Sequence, residues 1–158
     1  MLIYRYRIFD RHRVSVASLA ILIDDDPNWR PRNYISEMWE SSWQFHFPIL
    51  KILDYESKKQ WLMSHQNPLA IVILAQLGVI ETKKDHIKRL DFKTELTRLL
   101  FEKGWEGKRI LDLYRLLDGI LALPKNLEIE YNDRMKKREE EKKMSYITTA
   151  PTELILEQ

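Results

Sequence analysis

Glu56-Ser57-Lys58, Glu81-Thr82-Lys83 and Glu141-Lys142-Lys143 each set a carboxylate two residues before a lysine. On a strand, residues two apart share a face, and this spacing is how metal-dependent hydrolases of phosphodiesters hold a divalent ion and orient the attacking water. The ligand set also needs an Asp from the preceding strand. All three triplets fall in helical patterns or at their ends, with no strand before them to supply that Asp, and with 32% charged residues a three-letter coincidence is expected. None is taken as catalytic. The four histidines, His12, His46, His65 and His86, have no spacing that puts two on one helical face, which leaves a histidine metal cluster or a Ser-His relay without support. Asp24, Asp25 and Asp26 are adjacent, and three consecutive side chains on an extended segment cannot all face one ion. With Pro27 next, they read as a solvated turn. None of the four glycines builds a phosphate-cradling loop. The inventory therefore assigns no catalytic, cofactor-binding or metal-ligating residue.

The elements that would position such chemistry centre on residues 14–34. Residues 14–23, VSVASLAILI, form a β-branched apolar run that is too short to cross a membrane and about right for a buried strand. Pro27 and Pro31 then bracket an ordered turn over residues 24–32, with Trp29 as its anchor. Residues 1–13 place Leu2, Tyr6 and Phe9 on one stripe and suit an amphipathic helix without an encoded N-cap. Residues 34–53 predict a hairpin turning at Glu40, Ser41 and Ser42, with Pro48 confining the ILKIL run to an edge or a bent continuation. Trp43, Phe45 and Phe47 alternate at period two, as half of a core or a stacking platform does. A core strand needs neighbours on both edges, and only residues 34–53 offer any, so the sheet is expected to be incomplete.

The remainder reads as helices. Asp54 is placed as the cap of a helix through Trp61 and Leu62, and Asn67-Pro68 as the start of a second. Residues 69–77 are apolar nearly all round, stop near Gly78, and predict the buried centre of a helical half. Phe92, Leu96, Leu99 and Leu100 define the next helix, closed by Gly104. Ile110, Leu113, Tyr114, Leu117 and Leu121 define another, ended by Pro124. Residues 127–144 are so charged that they read as a linker or extension, followed by a loosely attached tail. With 158 residues, no cysteine and no apolar run near the length of a span, the expectation is a cytoplasmic α/β chain without disulfides and without membrane insertion. Its divisions are 1–53, 54–144 and 145–158. A net charge of +2 does not by itself argue for nucleic acid, and residues 83–109 hold nine Lys or Arg against five Asp or Glu, a modest excess typical of a solvated face.

In order along the chain stand YRYRIFDRHRVSVASLAIL, DDDPNWRP, FPILKILDYE, NPLAIVILAQL, LLFEKGW and LALPKNLE. Together they resemble the C-terminal part of the Rpn/YhgA-like recombination-promoting nucleases and transposases, whose members carry a PD-(D/E)XK nuclease core. The resemblance spans nearly the whole chain. It implies a remnant of the nuclease sheet followed by a helical subdomain, DNA as substrate, and Mg2+ as the metal of full-length members. It also implies that the catalytic carboxylates precede the segment matching Met1, so that this chain does not cut DNA alone. Tyr4, Tyr6 and Arg7 then lie on the helix that would flank the active site. A non-catalytic module binding DNA, a second copy or a full-length relative through an open sheet edge is the alternative.

Overall fold

A computed structural model describes residues 1–149, with the backbone alone for Glu139 and residues 141–149. The chain is mixed α/β and divides into two units, Met1–Leu62 and Met63–Gln158. The first unit opens with α1, Leu2–His12, which has no side-chain N-cap and ends where Arg13 turns left-handed (φ 53°) and its N–H donates to the Phe9 carbonyl at 2.7 Å. The core strand is much shorter than its composition predicts: β1 is Ala20–Leu22, and residues 14–19 are not in a strand. A strand exists only where a neighbour pairs with its amides, and here the pairing extends over three residues.

That neighbour is β4, Ile49–Lys51, running parallel with Ala20 opposite Ile49 and Leu22 opposite Lys51. Between them, β2 (Asn33–Met38) and β3 (Ser41–His46) form a separate antiparallel hairpin. Its turn is Trp39-Glu40, which begins one residue before the expected Glu40-Ser41-Ser42 and leaves Ser41 and Ser42 in β3, and Trp39 takes a φ of 53°. Of the aromatic stripe, Phe45 is buried, Phe47 is half-buried and Trp43 is exposed. After β4 comes a 3-10 helix, Ile52–Lys58, and then α2, Lys59–Ser64. Asp54 does not cap this segment as expected. It lies inside the first turn and binds Arg30, which ties the segment to the preceding loop and moves the boundary of the unit from residue 53 to Leu62.

The second unit is helical: α3 (Pro68–Glu81), α4 (His86–Glu102), α5 (Gly107–Ile120) and α6 (Lys125–Thr149). The Asn67 side chain accepts from the Leu69 N–H at 3.0 Å with Pro68 at the first helical position, and Asp85 caps α4 through the Lys88 N–H at 3.0 Å. α4 packs on α3, α5 and α6, around Ile71, Leu74, Leu90, Leu100 and Leu117. Gly78 does not stop α3. It lies inside the helix, at a position where a Cβ would come within 2.2 Å of the Phe92 ring. The expected linker is also corrected. Leu127 and Tyr131 at the start of α6 are buried against Leu90, with Met135 beside them, so the first turns of α6 belong to the core. Residues 150–158, most of the expected tail, lie outside the described residues. Among the described residues, no helix is long and apolar enough to cross a membrane.

Candidate functional site

The Glu-x-Lys triplets fall on the 3-10 helix, across the end of α3, and on α6, none on a strand. Among the described residues, no group of three His, Asp or Glu side chains converges as a metal site would require. Tyr4, Tyr6 and Arg7 all stand exposed on α1.

The acidic turn does have a partner, and sequence reasoning missed it. Lys51 ends β4, and its position between Leu50 and Ile52 places its side chain inward, with none of it exposed. Its ammonium donates to Asp24 Oδ1 at 2.5 Å, to the Asp26 carbonyl at 2.6 Å and to the Trp29 carbonyl at 3.2 Å, with the Trp29 ring centroid 5.8 Å away. Three acceptors take up its three protons. The hydrogen bond from Lys51 holds the Asp24 carboxyl below the ordinary carboxylate range. Asp24 also accepts from the Asp26 N–H, and Asp26 from the Asn28 N–H, the Asx geometry that the Asp-rich turn predicts. One residue beyond Trp29, Arg30 lays its guanidinium on both Asp54 oxygens (2.9 and 2.5 Å) and donates from Nε to the Pro27 carbonyl at 2.9 Å. This fork lowers the Asp54 pKa and raises that of Arg30. The loop over residues 24–30 is therefore clamped by two cations whose donors are engaged. The signal in the sequence was a single lysine inside the apolar ILKIL run.

The second unit repeats the device. Lys93 lies on the apolar stripe of α4 between Leu90 and Leu96, is buried, and donates to Asp118 at 2.7 Å and to Glu128 at 3.1 and 3.2 Å, 4.5 Å from the Tyr131 ring centroid. Tyr131 shares a hydrogen bond of 2.9 Å with Thr97, and burial pushes its hydroxyl far up. With both carboxylates on its ammonium, Lys93 joins α4, α5 and α6. It is a structural cation.

What remains uncompensated is apolar surface in the first unit. Ile21 on β1 is 59% exposed, and Leu19 and Ile23 flank it in the same state. Purely parallel sheets are normally covered on both faces, and a two-stranded sheet is marginal by itself. An apolar face beside free strand edges is the kind of surface that can accept a further strand or helix. Compared with models of known protein families, with curated proteins and with solved structures, the chain matches none.

Proposed function

We propose that the chain is the non-catalytic C-terminal portion of a DNA endonuclease of the recombination-promoting, transposase-like kind that its sequence resembles. In this reading β1 and β4 belong to a larger PD-(D/E)XK sheet. The remaining strands, with the carboxylates that bind Mg2+, come from a nuclease segment outside residues 1–158, whether on the same polypeptide or on a full-length relative. The observation that supports it best is the unfinished parallel pair with Ile21 exposed, because a two-stranded parallel sheet gains most by adding strands. The role of the chain is then to complete and hold the nuclease core, with DNA as the partner of the assembly. Arg7 and Arg11, exposed on α1 and without an ion pair among the described residues, are available to phosphates.

Purified protein incubated with magnesium or manganese is expected to leave supercoiled plasmid intact, and chelator-sensitive nicking that tracks with the protein would contradict the non-catalytic reading. Mixed with a purified full-length member of that family, the chain is expected to bind it, with Ile21→Lys weakening the complex about tenfold or more, equal to about 1.4 kcal/mol. An undiminished Kd would remove the sheet from the interface.

A further inference from the structure

The β2–β3 hairpin ends in a residue that nothing in the protein explains. Trp39 is fully exposed, sits beside the exposed Met38, and holds a φ of 53° at the first position of a two-residue turn where glycine is the residue without strain. A bulky side chain in the left-handed region is an outlier, and one with no contact of its own points to a contact made elsewhere. Across residues 33–46 the hairpin carries Glu37 and Glu40 and no lysine or arginine, which disfavours a nucleic acid as the occupant.

The same unit contains a groove of complementary character. Leu2, Tyr6 and Phe9 of α1 face Trp43 and Phe45 of β3 across an open cavity of about 430 Å³, with Arg5 lying 5.3 Å above the Phe45 ring. The floor is apolar, and α1 brings Arg5, Arg7 and Arg11 against a single Asp10. Neither Arg5 nor Glu40 has an ion-pair partner among the described residues. An indole buries about 150–250 Å² when enclosed, and the groove has room for one.

We propose that the hairpin tip docks into this groove on a second copy of the chain, Trp39 entering between Tyr6 and Trp43 while Glu40 meets Arg5, and that the exchange is reciprocal. A reciprocal contact closes on a two-fold axis, giving a dimer and no open chain. This goes beyond the nuclease reading and does not rest on it, since hairpin and groove are both present in residues 1–62.

The test uses the full chain. Light scattering over a dilution series is expected to show a dimer that dissociates on dilution. Trp39→Gly relieves the turn and keeps the circular dichroism of the parent, yet shifts the dissociation midpoint at least tenfold higher in concentration. Because the chain lacks cysteine, Glu40→Cys and Tyr6→Cys variants give a clean cross-link. Under mild oxidation their mixture forms a disulfide-linked dimer, and neither alone does so to the same extent. A parent that is monomeric at every concentration, an unchanged midpoint in Trp39→Gly, or absence of the mixed cross-link would each overturn the proposal. So would Trp39-dependent binding of a monomer to phosphatidylcholine vesicles or to a duplex oligonucleotide, which would give the tip a different occupant. Plasmid cleavage does not enter any of these outcomes.

Discussion

Lys51 shows how one buried charge organises a loop. Its ammonium replaces water with one carboxylate and two carbonyls, so removing either end leaves polar groups short of a partner. Asp24→Asn takes the counter-charge from an ammonium with no exposure, and Lys51→Met leaves the Asp26 and Trp29 carbonyls without their donor. Lys51→Met is expected to cost about 2–3 kcal/mol in urea unfolding, and Asp24→Asn is expected to destabilise by less, because the Asp24 side chain is 30% exposed and water can take over part of its role. The double variant is expected to cost well below the sum, because the second change removes a partner already lost, and additive losses would show that the two groups act separately. The pH profile supplies a second readout. The folded protein holds the Asp24 carboxyl below its ordinary 3.8, so the unfolded chain takes up that proton first as pH falls. The contribution of the pair is complete above that value and is lost as pH drops through the folded pKa, and this part of the acid slope is expected to vanish in Lys51→Met. Asx chemistry in the turn was legible from Asp-Asp-Asp-Pro, whereas Trp29, expected as the anchor, contributes its backbone carbonyl and leaves its side chain exposed. Lys51 was not legible, because charge suggests solvent and only the neighbouring Ile and Leu argue otherwise.

Among the elements, the helices were the easier to read. α3, α4 and α5 follow from apolar spacing, and the Asn67 cap follows from Asn-Pro. The first turns of α6 were hidden because Leu127, Tyr131 and Met135 form a thin stripe, four residues apart, within a highly charged stretch. Gly78 was misread for a related reason: local sequence gives the cost of a glycine in a helix but not the ring that requires it. Gly78→Ala separates the two effects. Propensity alone predicts a gain of about 1 kcal/mol, whereas a Cβ 2.2 Å from the Phe92 ring overlaps it and must displace it from between α3 and α4. Overpacking of this kind costs about 1–3 kcal/mol. The overlap is expected to win, with a net loss of about 1–2 kcal/mol by thermal or urea unfolding. Gly78→Ala combined with Phe92→Leu is expected to recover most of it. A stabilised Gly78→Ala would mean that the ring moves aside at no cost.

For the molecule as a whole, the difference between the two units lies in how far each covers its own apolar surface. The helical unit buries residues from all four of its helices, among them Leu74, Leu90, Leu117 and Tyr131. The first unit joins a three-residue parallel pair to a hairpin, and leaves Leu19, Ile21 and Ile23 uncovered. Sequence composition anticipated a sheet of few strands but overstated the first of them, since ten β-prone residues form a ladder only where a partner strand lies alongside. If the face is open, adjacent residues on β1 respond oppositely to the same charge. Ile21→Lys places an ammonium in solvent and is expected to change stability by less than about 0.5 kcal/mol. Leu22→Lys, at a site 6% exposed, buries that charge without a partner and is expected to unfold the first unit. Because each unit has buried residues of its own, amide exchange in α3 and α4 is expected to stay slow in Leu22→Lys while protection in β1 and β4 disappears. Equal damage from the two variants would mean that both faces of β1 are covered, and the sheet would then have no vacancy for another segment to fill.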